Sequence, residues 1–187
     1  MFKLIFRLFG WKITHYLPDE IKKCVVVVAP HTSNWEFVFG MGAVKIMKLH
    51  PRCAIKKEWI RFPFRHLMLS SGALPIDRNA NNGEKKSTVD AMADLFKTHD
   101  TLRLIITPEG TRSRMEKWKT GFYHVAMKAN VPIALGFMDY EKKECGIDKI
   151  IYPTGDFKAD MKKIMDFYKN VKAKHPHNFS VDVELSN

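Results

Sequence analysis

The run Cys-Val-Val-Val-Val-Ala-Pro at residues 24–30 constrains the fold more than any other part of this chain. Four consecutive β-branched residues disfavour helix and leave no polar face, so the segment reads as a strand covered on both sides, as in the middle of a parallel sheet. Pro30 has no amide hydrogen to give to a ladder and ends it. The next stretch, "WEFVFGMGAVKIMKL" (35–49), has helical periodicity, and the same β-then-α step recurs along the chain. Strands are expected at 52–58, 73–78, 101–108 and 131–140, and helices at 62–71, 84–99 and 121–130. "GIDKIIYP" (146–153) is expected to fold back through "EKKE" as an antiparallel edge, and 156–175 to form a basic amphipathic helix. Together these predict an α/β sandwich: a largely parallel sheet flanked by helices, with an antiparallel edge and an N-terminal amphipathic helix. In such sheets sites gather at the carboxyl ends of the strands.

A chain of 187 residues, 45% of them hydrophobic, can build one sizeable core. No repeat or linker divides it, and Asn79 to Gly83 reads as a loop inside the domain. The expected organisation is therefore one domain over 1–187, with a helix in 1–20 ahead of a motif-bearing core in 24–140. Cys24, Cys53 and Cys145 are far apart and lack CxxC spacing, which suggests neither a disulfide framework nor a zinc site and fits reduced, structural thiols in a cytosolic setting. The remaining histidines have no clustered ligands, so no metal is assigned.

The formal net charge of +11 implies an anionic partner: nucleic acid, an anionic membrane surface or a phosphorylated substrate. "MFKLIFRLFGWKITHYLP" is aromatic-rich but interrupted by Lys3, Arg7 and Lys12, so it lacks the ~20 apolar residues of a membrane span and the apolar core of a signal peptide. At helical spacing Phe2, Ile5, Phe6, Phe9, Ile13 and Tyr16 share a face. That face suits either a membrane interface or the domain's own core.

Polar residues collect where three strands should end. His31 follows the first strand, and Glu36 lies in the first turn of a helix capped near Asn34, which turns the carboxylate back towards the imidazole. A carboxylate on one ring nitrogen fixes the tautomer and leaves the other nitrogen free to take a proton from a hydroxyl. A buried structural histidine is the alternative reading of this pair alone. In "TPEGTRSRMEKWKTG" (107–121), Pro108 and Gly110 bracket a tight turn, and its amides with Arg112, and with Arg114 or Lys119, suit a phosphate. A solvated basic loop would look the same. "GALPIDR" (72–78) ends in Arg78, suited to a phosphate or to a salt bridge.

In this order the segments resemble the glycerolipid acyltransferases of the lysophosphatidic acid acyltransferase type. "HTSNWE" looks like that family's HxxxxD block, "GALPIDR" like its block ending in Arg, "PEGTRS" like its block of that sequence, and "VPIALGF" like its fourth block. The resemblance covers roughly residues 24–138. It implies transfer of an acyl chain from a thioester on coenzyme A or acyl carrier protein to the free hydroxyl of a lysophospholipid, with 1-acylglycerol-3-phosphate as the expected acceptor. It implies no further cofactor. By this carry-over His31 is the base and Glu36 its orienting acid, while Arg78, Glu109, Gly110, Thr111 and Arg112 form the acceptor site. The activated thioester also accounts for the lack of a serine elbow or of a cysteine beside His31. A lipid acceptor implies membrane contact by Phe2, Phe6, Phe9 and Trp11, and a peripheral enzyme on the cytoplasmic face of an anionic membrane.

The family's acid is usually Asp. Glu36 is one methylene longer, so the contact with His31 has to be recovered by another rotamer or a helix shift. That departure leaves open a catalytically impaired lipid- or membrane-binding relative. A basic nucleic-acid binder is the remaining class, though no recognisable nucleic-acid motif accompanies the charge.

Overall fold

A computed structural model describes residues 1–56, 69, 72–76 and 86–186. In chain order the elements are α1 (Phe2–Leu8), β1 (Lys12–His15), β2 (Lys23–Val28), α2 (Trp35–Met47), β3 (Arg52–Lys56), β4 (Ala73–Ile76), α3 (Thr88–Thr98), β5 (Leu102–Ile106), α4 (Gly121–Ala129), β6 (Ile133–Asp139), β7 (Glu144–Ile151), α5 (Phe157–Tyr168) and α6 (Val183–Ser186). The strands form one sheet in the order β1-β7-β6-β2-β5-β3-β4. The valine run occupies the middle, hydrogen-bonded in parallel to β5 on one side and β6 on the other.

The alternation of side chains along β2 explains why it carries no polar face. Val25 and Val27 enter the core built with α4 and α5, whereas Cys24 and Val26 enter a second core on the opposite face of the sheet. The second face is covered by α2, against which α1 packs. Gly42 permits that approach, because a Cβ there would stand 2.7 Å from Phe6 Cβ. α2 is apolar nearly all round, and the structure accounts for each side: the sheet and a cavity, α1, and an outward rim of Trp35 and Phe37.

Three expectations are corrected. The N-terminal helix ends at Leu8, since Gly10 adopts φ +77, and residues 12–15 form β1 instead of continuing the helix. β1 pairs in parallel with β7, so β7, antiparallel to β6 as expected, is an inner strand rather than the edge. The basic helix expected over 156–175 stops at Tyr168, and the chain beyond it becomes an irregular strap. The helix expected at 62–71 lies almost wholly outside the described residues.

Candidate active site

β2 delivers its successor loop to the carboxyl edge of the sheet, through a cis Ala29–Pro30 bond. Beyond the last ladder position the backbone amides need new partners, and side-chain oxygens supply them. Asn34 is the N-cap of α2, as expected, but its side chain makes no cap bond; Ser33 Oγ instead accepts from Trp35 N at 3.2 Å. α2 therefore starts at Trp35, with Glu36 in its first turn, where a carboxylate is favoured by the helix dipole.

Glu36 is buried and serves two partners. Its Oε1 accepts from Thr32 N at 2.9 Å and from Thr32 Oγ1 at 3.1 Å. Its Oε2 lies 2.9 Å from His31 Nδ1, and no other group among the described residues hydrogen-bonds to it. The extra methylene is thus taken up between Thr32 and His31. With Nδ1 facing Glu36, Nε2 is the ring nitrogen left without a carboxylate, and His31 lines a cavity of about 300 Å³. That cavity runs between α2 and the sheet, past Val26, Val28, Val44, Met47 and Ile105, and Arg112 also lines it.

The 107–121 segment reaches the same edge. Gly110 N donates to Thr107 O at 3.2 Å, closing the expected turn, and Gly110 has φ +66. Glu109, which the resemblance places in the acceptor site, turns its side chain inward. It is 1% exposed, and Oε1 accepts the amide hydrogen of His31 at 2.7 Å. Burial pushes its pKa up to about 7, against the opposing pull of the His31 amide and ring. Arg112, Arg114 and Lys119 remain exposed, and none of the ion pairs among the described residues involves them. Thr111 is half-buried, and its Oγ1 accepts from Ser113 N at 3.3 Å. Arg78 lies outside the described residues, so nothing here places it beside Arg112.

Two of the four expected membrane residues are elsewhere. Phe6 and Trp11 are 2% and 5% exposed, packed with Phe39 and Ala43 of α2, because the short α1 lays its Phe6 side on α2. Phe2 is half-buried and Phe9 is exposed. Beside Phe9, the exposed apolar residues on α1 and α2 include Leu4, Leu8, Trp35 and Phe37, the last also lining the cavity. Ring contacts join the two elements: Phe9 to Trp35 at 6.0 Å and Phe2 to Phe37 at 6.4 Å. Sequence periodicity could not separate the two faces, since both are apolar; nor could it mark Trp35, Phe37 and Thr32 as part of the site.

The sequence pattern of the acyltransferase family matches residues 12–134. The chain belongs to that family. It is 33% identical over 141 residues to a 1-acyl-sn-glycerol-3-phosphate acyltransferase of Salmonella typhimurium, covering 71% of this chain and 55% of the relative. The enzyme of the same name from Escherichia coli is 32% identical over the same shares, and that of Limnanthes alba 30% identical over 70% of this chain and 46% of its own. The chain thus spans about half the length of the curated relatives it matches. The crystal structure of the 1-acyl-sn-glycerophosphate (LPA) acyltransferase PlsC from Thermotoga maritima shares the fold, with a TM-score of 0.54 at 16% identity over 89% of this chain and 72% of that one.

Proposed function

We propose that this acyltransferase-family chain moves a fatty acyl group from a thioester, on coenzyme A or acyl carrier protein, to the free hydroxyl of a lysophospholipid, with 1-acylglycerol-3-phosphate as the favoured acceptor. The observation that carries the reading is one cavity lined both by an imidazole 2.9 Å from a buried carboxylate and by a guanidinium with no ion-pair partner among the described residues, backed by an apolar channel. His31 Nε2 takes the proton from the acceptor hydroxyl as its oxygen attacks the thioester carbonyl. The tetrahedral oxyanion collapses, the carbon–sulfur bond breaks, and the departing thiolate takes the proton back from the imidazolium. Glu36 holds the ring and offsets the charge that forms on it. Arg112, with the Thr111 amide and Arg78, would take the acceptor phosphate, on the turn that the Gly110 amide closes. Glu109 acts on the base side, anchoring the His31 backbone. The apolar channel suits the acyl chain.

The acceptor is a lipid, and the outer face beside the cavity fits a lipid surface. Leu4, Leu8, Phe9, Trp35 and Phe37 would enter the interface, flanked by Lys3, Arg7, Lys45 and Lys174 for anionic headgroups. Lys45 Nζ lies 5.1 Å from the Phe2 ring centroid and Lys174 Nζ 5.3 Å from that of Trp35, so charge and apolar surface are interleaved. No helix among the described residues is long and apolar enough to cross a membrane. The reading is of a protein docked peripherally, at the cytoplasmic face, where anionic lipid and thioester donors meet. The 2.9 Å contact between Glu36 and His31 favours a working acid over an impaired relative.

The test is incubation of the purified protein with labelled acyl-coenzyme A or acyl carrier protein and lysophospholipids of different headgroup in mixed vesicles. Transfer to 1-acylglycerol-3-phosphate, lost in His31→Ala, is the expected result. Transfer to no acceptor, or transfer indifferent to His31→Ala, overturns the reading.

A further inference from the structure

The strap after α5 touches both site loops. Tyr168, at the end of α5, donates its hydroxyl hydrogen towards Val27 O and Gly136 O, each at 2.9 Å. Lys172 N donates to Asp139 Oδ2 at 3.2 Å, and Tyr140 N donates to Lys172 O at 2.9 Å, binding the strap to the end of β6. Further on, Trp118, downstream of the glutamate turn, donates its amide to Asp182 Oδ2 at 3.0 Å and its indole hydrogen to Ser180 O at 2.9 Å. Between these anchors His175 N donates to Thr32 Oγ1 at 3.3 Å.

That last contact closes a chain of polar groups. The strap amide donates to the Thr32 hydroxyl, the hydroxyl donates to Glu36 Oε1, and Glu36 Oε2 faces His31. A carboxylate held by a single hydrogen bond can swing about its terminal torsion. Two donors from one residue on Oε1, the Thr32 amide and hydroxyl, fix its plane and leave Oε2 aimed at the ring. A hydroxyl that accepts one hydrogen bond is also a better donor of the next. Thr32 is 4% exposed, so water does not readily replace it.

We propose that Thr32 is a positioning residue for the His31–Glu36 pair, and that the strap acts on the base through it. The inference rests on the acyl-transfer reading of that pair. Thr32→Val keeps the amide and the shape but deletes the hydroxyl. It is expected to lower kcat roughly ten- to a hundredfold, the worth of a hydrogen bond to a charged group, with KM for the acceptor within about twofold of wild type. Thr32→Ser, which keeps the hydroxyl, should recover most of the loss. In a Glu36→Ala background, Thr32→Val should have no further effect on kcat, because nothing is left to position. Should Thr32→Val fail to fold, Thr32→Ala carries the same expectation and leaves space in place of a methyl group.

Full kcat in both hydroxyl-free variants, or a loss that persists undiminished in the Glu36→Ala background, overturns the inference. So does a loss that Thr32→Ser does not recover. The two readings fail differently. A wild-type protein that transfers no acyl group removes both, whereas an active protein silenced by His31→Ala but indifferent to Thr32→Val removes this one alone.

Discussion

Two loops meet at the carboxyl edge of the sheet, and they spend their polar groups in opposite ways. In the loop after β2, the polar groups turn to one another: Ser33 Oγ takes the Trp35 amide, Thr32 donates to Glu36, and Glu36 Oε2 faces His31. In the loop after β5, Arg112, Arg114 and Lys119 stand exposed without an ion-pair partner among the described residues. A base must be oriented before the substrate arrives, since reorganising it during reaction raises the barrier. A binding cation gains by waiting, because a pre-formed internal ion pair would have to be broken to admit the phosphate. The exception is Glu109, which belongs to the second loop in sequence and to the first in function.

The largest expected effect breaks the first loop. Glu36→Ala should lower kcat about a thousandfold while leaving the acceptor KM within a few-fold, measured by steady-state acyl transfer. A silent Glu36→Ala would mean that the ring needs no orienting acid.

Glu109→Gln comes next and tests the exception. Burial raises the carboxyl of Glu109 from its ordinary 4.5 to about 7, so the folded chain holds a proton that the unfolded chain has released. Native stability conferred by that proton is fully present below about 4.5 and is lost as pH rises through about 7, a change of roughly 3 kcal/mol. Glutamine still accepts from the His31 amide and does not titrate, so the variant should gain on wild type across this window and level off above it. Denaturant unfolding at a series of pH values measures the gap, and parallel stability curves would contradict the buried-carboxylate account.

Arg112→Ala sharpens the contrast from the other side. It should raise the acceptor KM about ten- to a hundredfold and leave kcat nearly unchanged. A loss confined to kcat would place Arg112 with the base instead. The smallest effect lies on the rim. Replacing exposed Leu8 or Phe37 by Glu should weaken binding to anionic vesicles about tenfold each in sedimentation, as expected for one apolar side chain kept out of the interface. Unchanged binding in both variants would place the lipid surface elsewhere.

Much of the scaffold was legible because local and global preferences agree there. The valines have no choice but a central strand, and small polar residues after Pro30 can only start a helix. The N-terminal segment was harder, because period 3.6 continues across Gly10 and only the sheet edge, with Lys12 opposite Glu144, decides that residues 12–15 extend. The basic stretch at 156–175 kept helical periodicity past Tyr168, and the anchors that straighten it, Asp139 and Thr32, are remote in sequence. The direction of Glu109 was illegible for a related reason. A residue at a turn can point either way, and the His31 amide that draws it inward lies 78 positions earlier. The PEGTRS block marked Glu109 for the site without saying which partner it serves.

The central claim is that His31 and Glu36 act as one catalytic unit, and a double-mutant cycle on kcat/KM tests it most directly. His31→Ala and Glu36→Ala should each cost orders of magnitude, and the double variant should be scarcely slower than His31→Ala alone. Losses that multiply in the double variant would show two residues acting independently and contradict the account.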